Sequence, residues 1–312
     1  MSIQIPRREF IRTAGLGALG GAGLALSASG AFAQTRATAA RTPRLMLGLC
    51  AYSFRGPLGN GTMKMEDFIS KCVELGVDAA DITVYWFKGG MDPAYLRHYR
   101  YFAFHNGMPF SGVACGSSLV EGDATQRQKA YDEAKSWIDG TEALGASHLR
   151  VFAGRLSPGM TEAQGIDVMV EAMKSLCDYA GTKGITLGVE IHGGITQRAE
   201  VMLEILHRVD SPFIGITLDI THFKGDTDEE LYKQIEACIP YATQTHIRPV
   251  FDNRHPIDLD RVWQMFAKAG YRGYMSLEYE GGSKVEDPMT GVPKLLAQMR
   301  SLCKKYTPAP VL

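Results

Sequence analysis

Lys183-Gly184-Ile185-Thr186-Leu187-Gly188-Val189-Glu190-Ile191-His192 is the stretch on which the fold turns. A helical pattern ends at Gly184, and a short β-rich run follows at once. Glycine just past a helix can take the left-handed conformation that turns a chain back on itself. Within the run two parities separate, Leu187, Val189 and Ile191 against Gly188, Glu190 and His192. Side chains alternate across a strand, so the apolar parity is expected against helices and the small or polar parity on an inner face.

The same punctuation recurs at Leu75-Gly76, Leu144-Gly145 and Ala269-Gly270, each followed by a β-rich run. Eight strands can be placed, at residues 45–53, 77–86, 109–116, 148–154, 185–192, 214–220, 242–249 and 273–280. Helical patterns separate them. One carries Met65, Phe68, Ile69, Cys72 and Leu75 on one face, and another opens with a capping box from Thr227 to Glu230. Strict alternation predicts a parallel sheet, and eight units in a chain of 312 residues predict one α/β domain, a single (β/α)8 TIM barrel over 44–306. A doubly wound open sheet is disfavoured, because no glycine-rich nucleotide fingerprint follows the first strand.

The ends read differently. Pro6-Arg7-Arg8-Glu9-Phe10-Ile11 precedes a mildly apolar run rich in glycine and alanine that closes on Ala31-Phe32-Ala33. This is the pattern of a twin-arginine (Tat) signal peptide over 1–33, cleaved after Ala33, which predicts use of the Tat export machinery and a periplasmic or otherwise exported mature protein. The run is too short and too glycine-rich for a stable bilayer span, and none is expected in the mature form. Residues 34–43 read as a flexible leader and 307–312 as a tail. Signal removal takes away three arginines and one glutamate, so the formal charge moves from −1 to −3, which argues against nucleic acid as a partner. The cysteines, Cys50, Cys72, Cys115, Cys177, Cys238 and Cys303, are scattered without metal-ligand spacing and are expected to be buried thiols.

In a barrel of this kind the C-terminal ends of the strands form the active-site face. The inward parity there carries Glu190 on the fifth strand, Asp219 on the sixth, His246 on the seventh and Glu278 on the eighth. Four consecutive strands thus aim one metal-competent side chain each at a common point. Three converging carboxylates would repel and be costly to desolvate unless compensated, and a divalent cation compensates them most simply. Three oxygen donors and one imidazole suit Mn2+ first, with Mg2+, Co2+ or Zn2+ as alternatives. Taken singly, any of the four could be a capping or ion-pairing group; in register they favour a shared ion.

Val189-Glu190-Ile191-His192-Gly193-Gly194, Leu218-Asp219-Ile220-Thr221-His222, Thr245-His246-Ile247-Arg248 and Ser276-Leu277-Glu278-Tyr279-Glu280 resemble the xylose isomerase-like barrel superfamily, and within it the sugar phosphate isomerase/epimerase group with its D-tagatose 3-epimerase-like members. The resemblance implies that Glu190, Asp219, His246 and Glu278 are metal ligands, that His222 contacts substrate, and that Glu190 and Glu278 also act as a catalytic acid/base pair on opposite substrate faces. The chemistry implied is proton removal next to a metal-bound carbonyl through an enediolate. Homo-oligomers occur among such relatives, and no segment here identifies an interface. His192, on the parity of Glu190, is either a substrate contact or a partner of the ligands. Arg150 and Arg248 are candidates to bind substrate oxygens, Arg248 standing where many relatives carry lysine. Tyr52, Trp86 and Phe152 are candidate walls of a sugar pocket, with plain packing the alternative. His98, His105, His148, His207 and His255 are expected to be structural or surface residues.

The expected partner is therefore a small-molecule sugar or keto-sugar. Export and the lack of a glycine- and lysine-bearing phosphate cradle after the last two strands favour an unphosphorylated one. Two other activities compete: a 3-keto-glycoside lyase or hydratase using the same ion and base, and a non-catalytic sugar-binding barrel. The DNA-repair endonucleases of the superfamily need more histidines and a basic groove, which this sequence lacks.

Overall fold

The computed structural model describes residues 42–251, 255–280 and 287–308. Eight strands, β1 (Arg44–Cys50), β2 (Ala79–Thr83), β3 (Phe110–Ser118), β4 (His148–Phe152), β5 (Thr186–Glu190), β6 (Ile214–Asp219), β7 (Ala242–Ile247) and β8 (Arg272–Leu277), follow one another around a closed barrel. Every neighbouring pair is parallel, and β1 pairs with β8 from Arg44 opposite Arg272 to Leu49 opposite Leu277. That last pairing excludes the open sheet. Outside run α1 (Arg55–Asn60), α2 (Met65–Glu74), α3 (Pro93–His105), α4 (Ala124–Leu144), α5 (Glu162–Gly181), α6 (Ala199–Val209), α7 (Asp228–Cys238), α8 (Leu259–Lys268) and α9 (Pro288–Tyr306). The expected signal peptide, most of the leader and residues 309–312 lie outside the described residues. Among those described, no helix is long and apolar enough to cross a membrane.

The local signals that produce this order are visible. Gly76, Gly145, Gly184 and Gly270 all have positive φ, between 62° and 77°, so each turns a helix toward the next strand as only glycine does without strain. Helix α2 buries Met65, Phe68, Ile69 and Cys72 on one face. Helix α7 starts on half of its expected capping box: Thr227 Oγ1 accepts the Glu230 N–H, but the Glu230 carboxylate accepts from Asp226 N–H instead of reaching back to Thr227.

The strands are shorter than expected at two places that matter. The run at 77–86 yields a strand only to Thr83, after which Val84–Trp86 winds into a 3-10 turn that lifts Tyr85 and Trp86 onto the barrel mouth. Aromatic residues favour strands, but a barrel strand stops where its neighbours' ladders stop. The run at 273–280 likewise leaves the ladder after Leu277, and only the bond from Glu278 N–H to Ile247 O (3.0 Å) carries it one residue further.

Apolar parities pack outward against the helices, with Leu187, Val189, Ile216, Leu218, Met275 and Leu277 fully enclosed. The barrel axis is unusually polar. Asp81, Ser111, His148, Thr217, Gln244 and Ser276 project into it. Gly188 makes room for them: a Cβ there would run into His148 Nε2 and Thr217 Oγ1.

Candidate metal centre

Glu190, Asp219 and His246 lie at the C-terminal ends of β5, β6 and β7, and Glu278 just past β8, with the ladders staggered around the barrel. Glu190 stands opposite Thr217, Asp219 opposite His246, and His246 opposite Ser276. Ligating atoms of Glu190, Asp219, His246 and Glu278 all lie within 4.8 Å of one another, and all four side chains are buried. His246 Nδ1 is 2.8 Å from Glu190 Oε1 and 3.7 Å from Glu278 Oε1. Donors on opposite sides of a divalent ion, each about 2–2.6 Å from it, are ~4–5 Å apart, which this set matches.

The electrostatics also call for a cation. Burial opposes charge on every member. It drives the Glu278 carboxyl above the usual range, helped by the negative charges of Glu190 and Asp219, against the pull of His246 and Arg248. The other two carboxyls resist burial only through fixed cations. Arg150 and His246 hold Glu190 well below the ordinary value, while Arg248 and His222 lower that of Asp219. For His246 burial disfavours the charged ring, yet Glu278 and Glu190 overrule it and hold a proton there far above the ordinary imidazole range. Glu190 Oε2 is buried without a hydrogen-bond partner among the described residues, although Arg150 Nε lies 3.2 Å away. A buried carboxylate oxygen left over beside an imidazole and two further carboxyls is a set of donors suited to a divalent metal ion.

Around the four donors the structure arranges the remaining candidates. Arg150, in the middle of β4, lies beside Glu190, donates to Tyr85 Oη (3.2 Å) and stacks its guanidinium 3.9 Å from the Phe152 ring centre. Arg248 donates to Asp219 Oδ2 (2.7 Å) and Glu280 Oε2 (2.8 Å) and touches His222 Nε2. It thus ties Asp219, Glu280 and His222 together beside the donors. His222 Nε2 is 3.6 Å from Asp219, and the rings of Phe152, His192 and His222 follow one another at 4.5 Å and 4.6 Å. Tyr52 sits in the 3-10 turn after β1, stacked on Trp86 at 6.0 Å, with Tyr85 edge-on to both. These three rings stand on the β1–β2 side, linked to Glu190 through Tyr85 and Arg150.

Three neighbours of the donors escaped the reading of strand ends. Asp81, in the middle of β2, accepts from His246 Nε2 (3.2 Å) and from Gln244 Nε2 (3.2 Å), and Gln244 also donates to Ser111 Oγ (2.9 Å). A buried carboxylate only accepts, so Nε2 carries the hydrogen and Nδ1 faces the donors. Cys50 Sγ lies 3.8 Å from Glu278 Oε1, which sets it apart from the other five buried thiols. Glu280 holds Arg248. An acid amid Ala79-Ala80-Asp81-Ile82-Thr83, on the parity of Thr83, was the available signal for Asp81.

A barrel with this cluster at the ends of its last four strands defines a class of proteins built to use a divalent metal ion at that face. The chain belongs to the xylose isomerase-like TIM-barrel family, whose model matches residues 69–302. No curated protein matches the sequence. Among solved structures it is similar to the IOLI protein with a bound zinc atom, at 16% identity and a TM-score of 0.68, covering 84% of this chain and 99% of that one. It is similar to the D-allulose 3-epimerase from Methylomonas sp. in complex with D-allulose, at 20% identity and a TM-score of 0.61, covering 85% and 96%. It is also similar to the 3-keto-D-glucoside 4-epimerase from E. coli, at 15% identity and a TM-score of 0.63, covering 83% and 99%. At these identities the likeness speaks to the fold.

Proposed function

We propose that this protein is a divalent-metal-dependent isomerase or epimerase that moves a proton at the carbon beside the carbonyl of an unphosphorylated sugar. The observation that carries the reading is the convergence of Glu190 and Glu278, from strands β5 and β8, on one imidazole and one further carboxylate within 4.8 Å. When bound there, a divalent ion, Mn2+ by the oxygen-rich donor set, supplies Lewis-acid polarisation of the carbonyl. Glu190, kept ionised by Arg150 and His246, takes the proton from one substrate face. Glu278, whose carboxyl burial keeps readier to hold a proton, returns one from the other side, with inversion or at the neighbouring carbon. His222 and His192 line the approach beside Phe152, and Tyr52 and Trp86 offer a ring wall across from them. Arg150 and Arg248 keep the carboxylates ionised and in place.

A sugar without phosphate fits a Tat-exported, periplasmic enzyme, which is the location we assign from residues 1–33. The 3-keto-glycoside lyase reading takes support from the likeness to a 3-keto-D-glucoside 4-epimerase and from the rings at the mouth, which suit a second ring of substrate. In it the same base removes the proton beside the ketone, the bond to the glycosidic oxygen on the adjoining carbon breaks, and the leaving alcohol takes up a proton.

Metal analysis tests the core of the reading. Wild type purified without added metal is expected to hold close to one equivalent of Mn, Mg, Co or Zn, and a Glu190→Gln, Glu278→Gln double variant far less. Incubating the loaded enzyme with ketoses and 3-keto-glycosides in deuterated water should then place deuterium on the carbon beside the carbonyl, and aglycone release marks the lyase. Metal-free wild type that also ignores added Mn2+ and Co2+ removes the mechanism and leaves a sugar-binding barrel.

A further inference from the structure

Cys50 is the last residue of β1 and only 1% exposed, yet it is not packed among apolar side chains alone. Its Sγ lies 3.8 Å from Glu278 Oε1 and 3.7 Å from Thr83 Oγ1. Ligating atoms of Cys50, His246 and Glu278 are mutually within 4.8 Å, the same closeness that joins the four oxygen and nitrogen donors. Two donor sets therefore overlap and share His246 and Glu278. One is completed by carboxylates on β5 and β6, the other by a sulfur on β1.

We propose that the barrel mouth contains a second, overlapping metal position, formed by Cys50, His246 and Glu278, that takes thiophilic divalent ions such as Cd2+ or Zn2+. The inference rests on the reading of His246 and Glu278 as metal ligands and adds a sulfur donor to it. Asp81 engages His246 Nε2, which leaves Nδ1, 3.7 Å from Glu278 Oε1, as the nitrogen to be shared between the two positions under this proposal. A hard ion gains more from the oxygens of Glu190 and Asp219, whereas a soft ion gains more from a thiolate. On binding, the Cys50 thiol gives up its proton to solvent and the sulfur bonds the ion. An ion drawn toward β1 leaves Glu190 and Asp219 without their share of it, so thiophilic metals are expected to occupy the protein in a form unsuited to the chemistry of the first position. Among the described residues no other cysteine joins such a donor group, so any sulfur signature is assigned to Cys50.

The test uses the full-length metal-free protein, with Cd2+ and Mn2+ as probes. Cadmium NMR of the wild type loaded with one equivalent of Cd2+ should give a resonance displaced downfield into the range of a single thiolate ligand, with a thiolate-to-metal charge-transfer band in the near ultraviolet. In Cys50→Ser both signals should vanish. Cd2+ affinity should then fall by about tenfold or more while Mn2+ affinity changes by less than about threefold. Cadmium bound at one equivalent with an oxygen- and nitrogen-only resonance overturns the proposal and leaves the four-donor centre standing. Wild type that binds neither ion overturns both. The NMR measurement needs no variant, so a poorly folding Cys50→Ser does not blunt the test.

Discussion

Strands β5, β6, β7 and β8 reach the barrel mouth with Glu190, Asp219, His246 and Glu278, and all four side chains point at one spot. Strands β1 to β4 end instead in Cys50, Thr83, Ser118 and Phe152, and two of their charged residues serve the other half: Asp81 bonds His246, and Arg150 lies against Glu190. One half supplies the donors; the other orients His246 and holds Glu190 charged, while Asp219 is held from within the donor half by Arg248 and His222. Buried ionisable groups are affordable only in such pairings, since each carboxylate taken out of water needs a cation or a hydrogen-bond donor to remain charged.

The division is broken most directly through the donor half. Glu278→Gln keeps the shape of the side chain but removes an acid/base group, and turnover at saturating Mn2+ should fall by about a hundredfold to ten-thousandfold. A loss smaller than about tenfold, measured as kcat on a ketose that the wild type converts, would mean that Glu278 only fills space beside His246.

The orienting half is tested by Asp81→Asn. An asparagine amide can donate to Nε2, which would push the ring hydrogen to Nδ1, the atom that faces Glu190 and Glu278. Mn2+ affinity, measured by competition with a fluorescent chelator, should weaken by about 10–100-fold. Asp81→Glu, if it restores the carboxylate contact, should recover part of it. Unchanged affinity in Asp81→Asn would leave Asp81 as a packing residue and dissolve the distinction between the halves.

These two residues also show what could be read in the sequence and what could not. Glu278 was legible because a local rule, alternation along a strand, combines with a rule of the fold, chemistry at the C-terminal face. The helix-ending glycines were legible for the same reason, since left-handed backbone is a property of one residue. Asp81 was not, because its partner is 165 residues away and the contact depends on barrel closure and strand register. Cys50 has no motif and is told from Cys72 only by the neighbour that β8 brings to it. Arg248 was a candidate for substrate oxygens, and its engagement with Asp219 and Glu280 depends on neighbours that only the folded barrel brings to it. The ends of β2 and β8 went astray because aromatic side chains favour strands while the neighbouring ladders decide where a barrel strand stops.

Below the donors, the polar axis adds a pH signature. His148, on β4, is buried, and that burial lowers its pKa from 6.5 to about 4. The ring is neutral when folded and free to take a proton when unfolded, so its share of stability is full above the unfolded value and is lost as pH falls from about 6.5 toward 4. At pH ~5 the loss should be about 2 kcal/mol. Thermal melts of wild type and His148→Gln between neutral pH and pH ~5 check it, because the variant should lose less on acidification. Equal losses would assign the acid sensitivity to the carboxylates above.

The smallest effect is expected where the aromatic side of β1 and β2 meets substrate. Trp86 stacks on Tyr52 and meets Tyr85 edge-on, but it touches neither Glu190 nor Asp219 through any ion pair or hydrogen bond in the described residues. If these rings form a wall for the sugar, they hold ground state and transition state alike, and removing one should raise KM and leave kcat nearly alone. Trp86→Ala should raise KM by about threefold to tenfold, the worth of one well-placed aromatic contact, with Mn2+ affinity unaltered. A fall in kcat with KM unchanged would point another way. It would mean that the Tyr52–Tyr85–Trp86 group holds Arg150 in place through the Tyr85 hydroxyl, and so belongs with Asp81 among the residues that orient the donors.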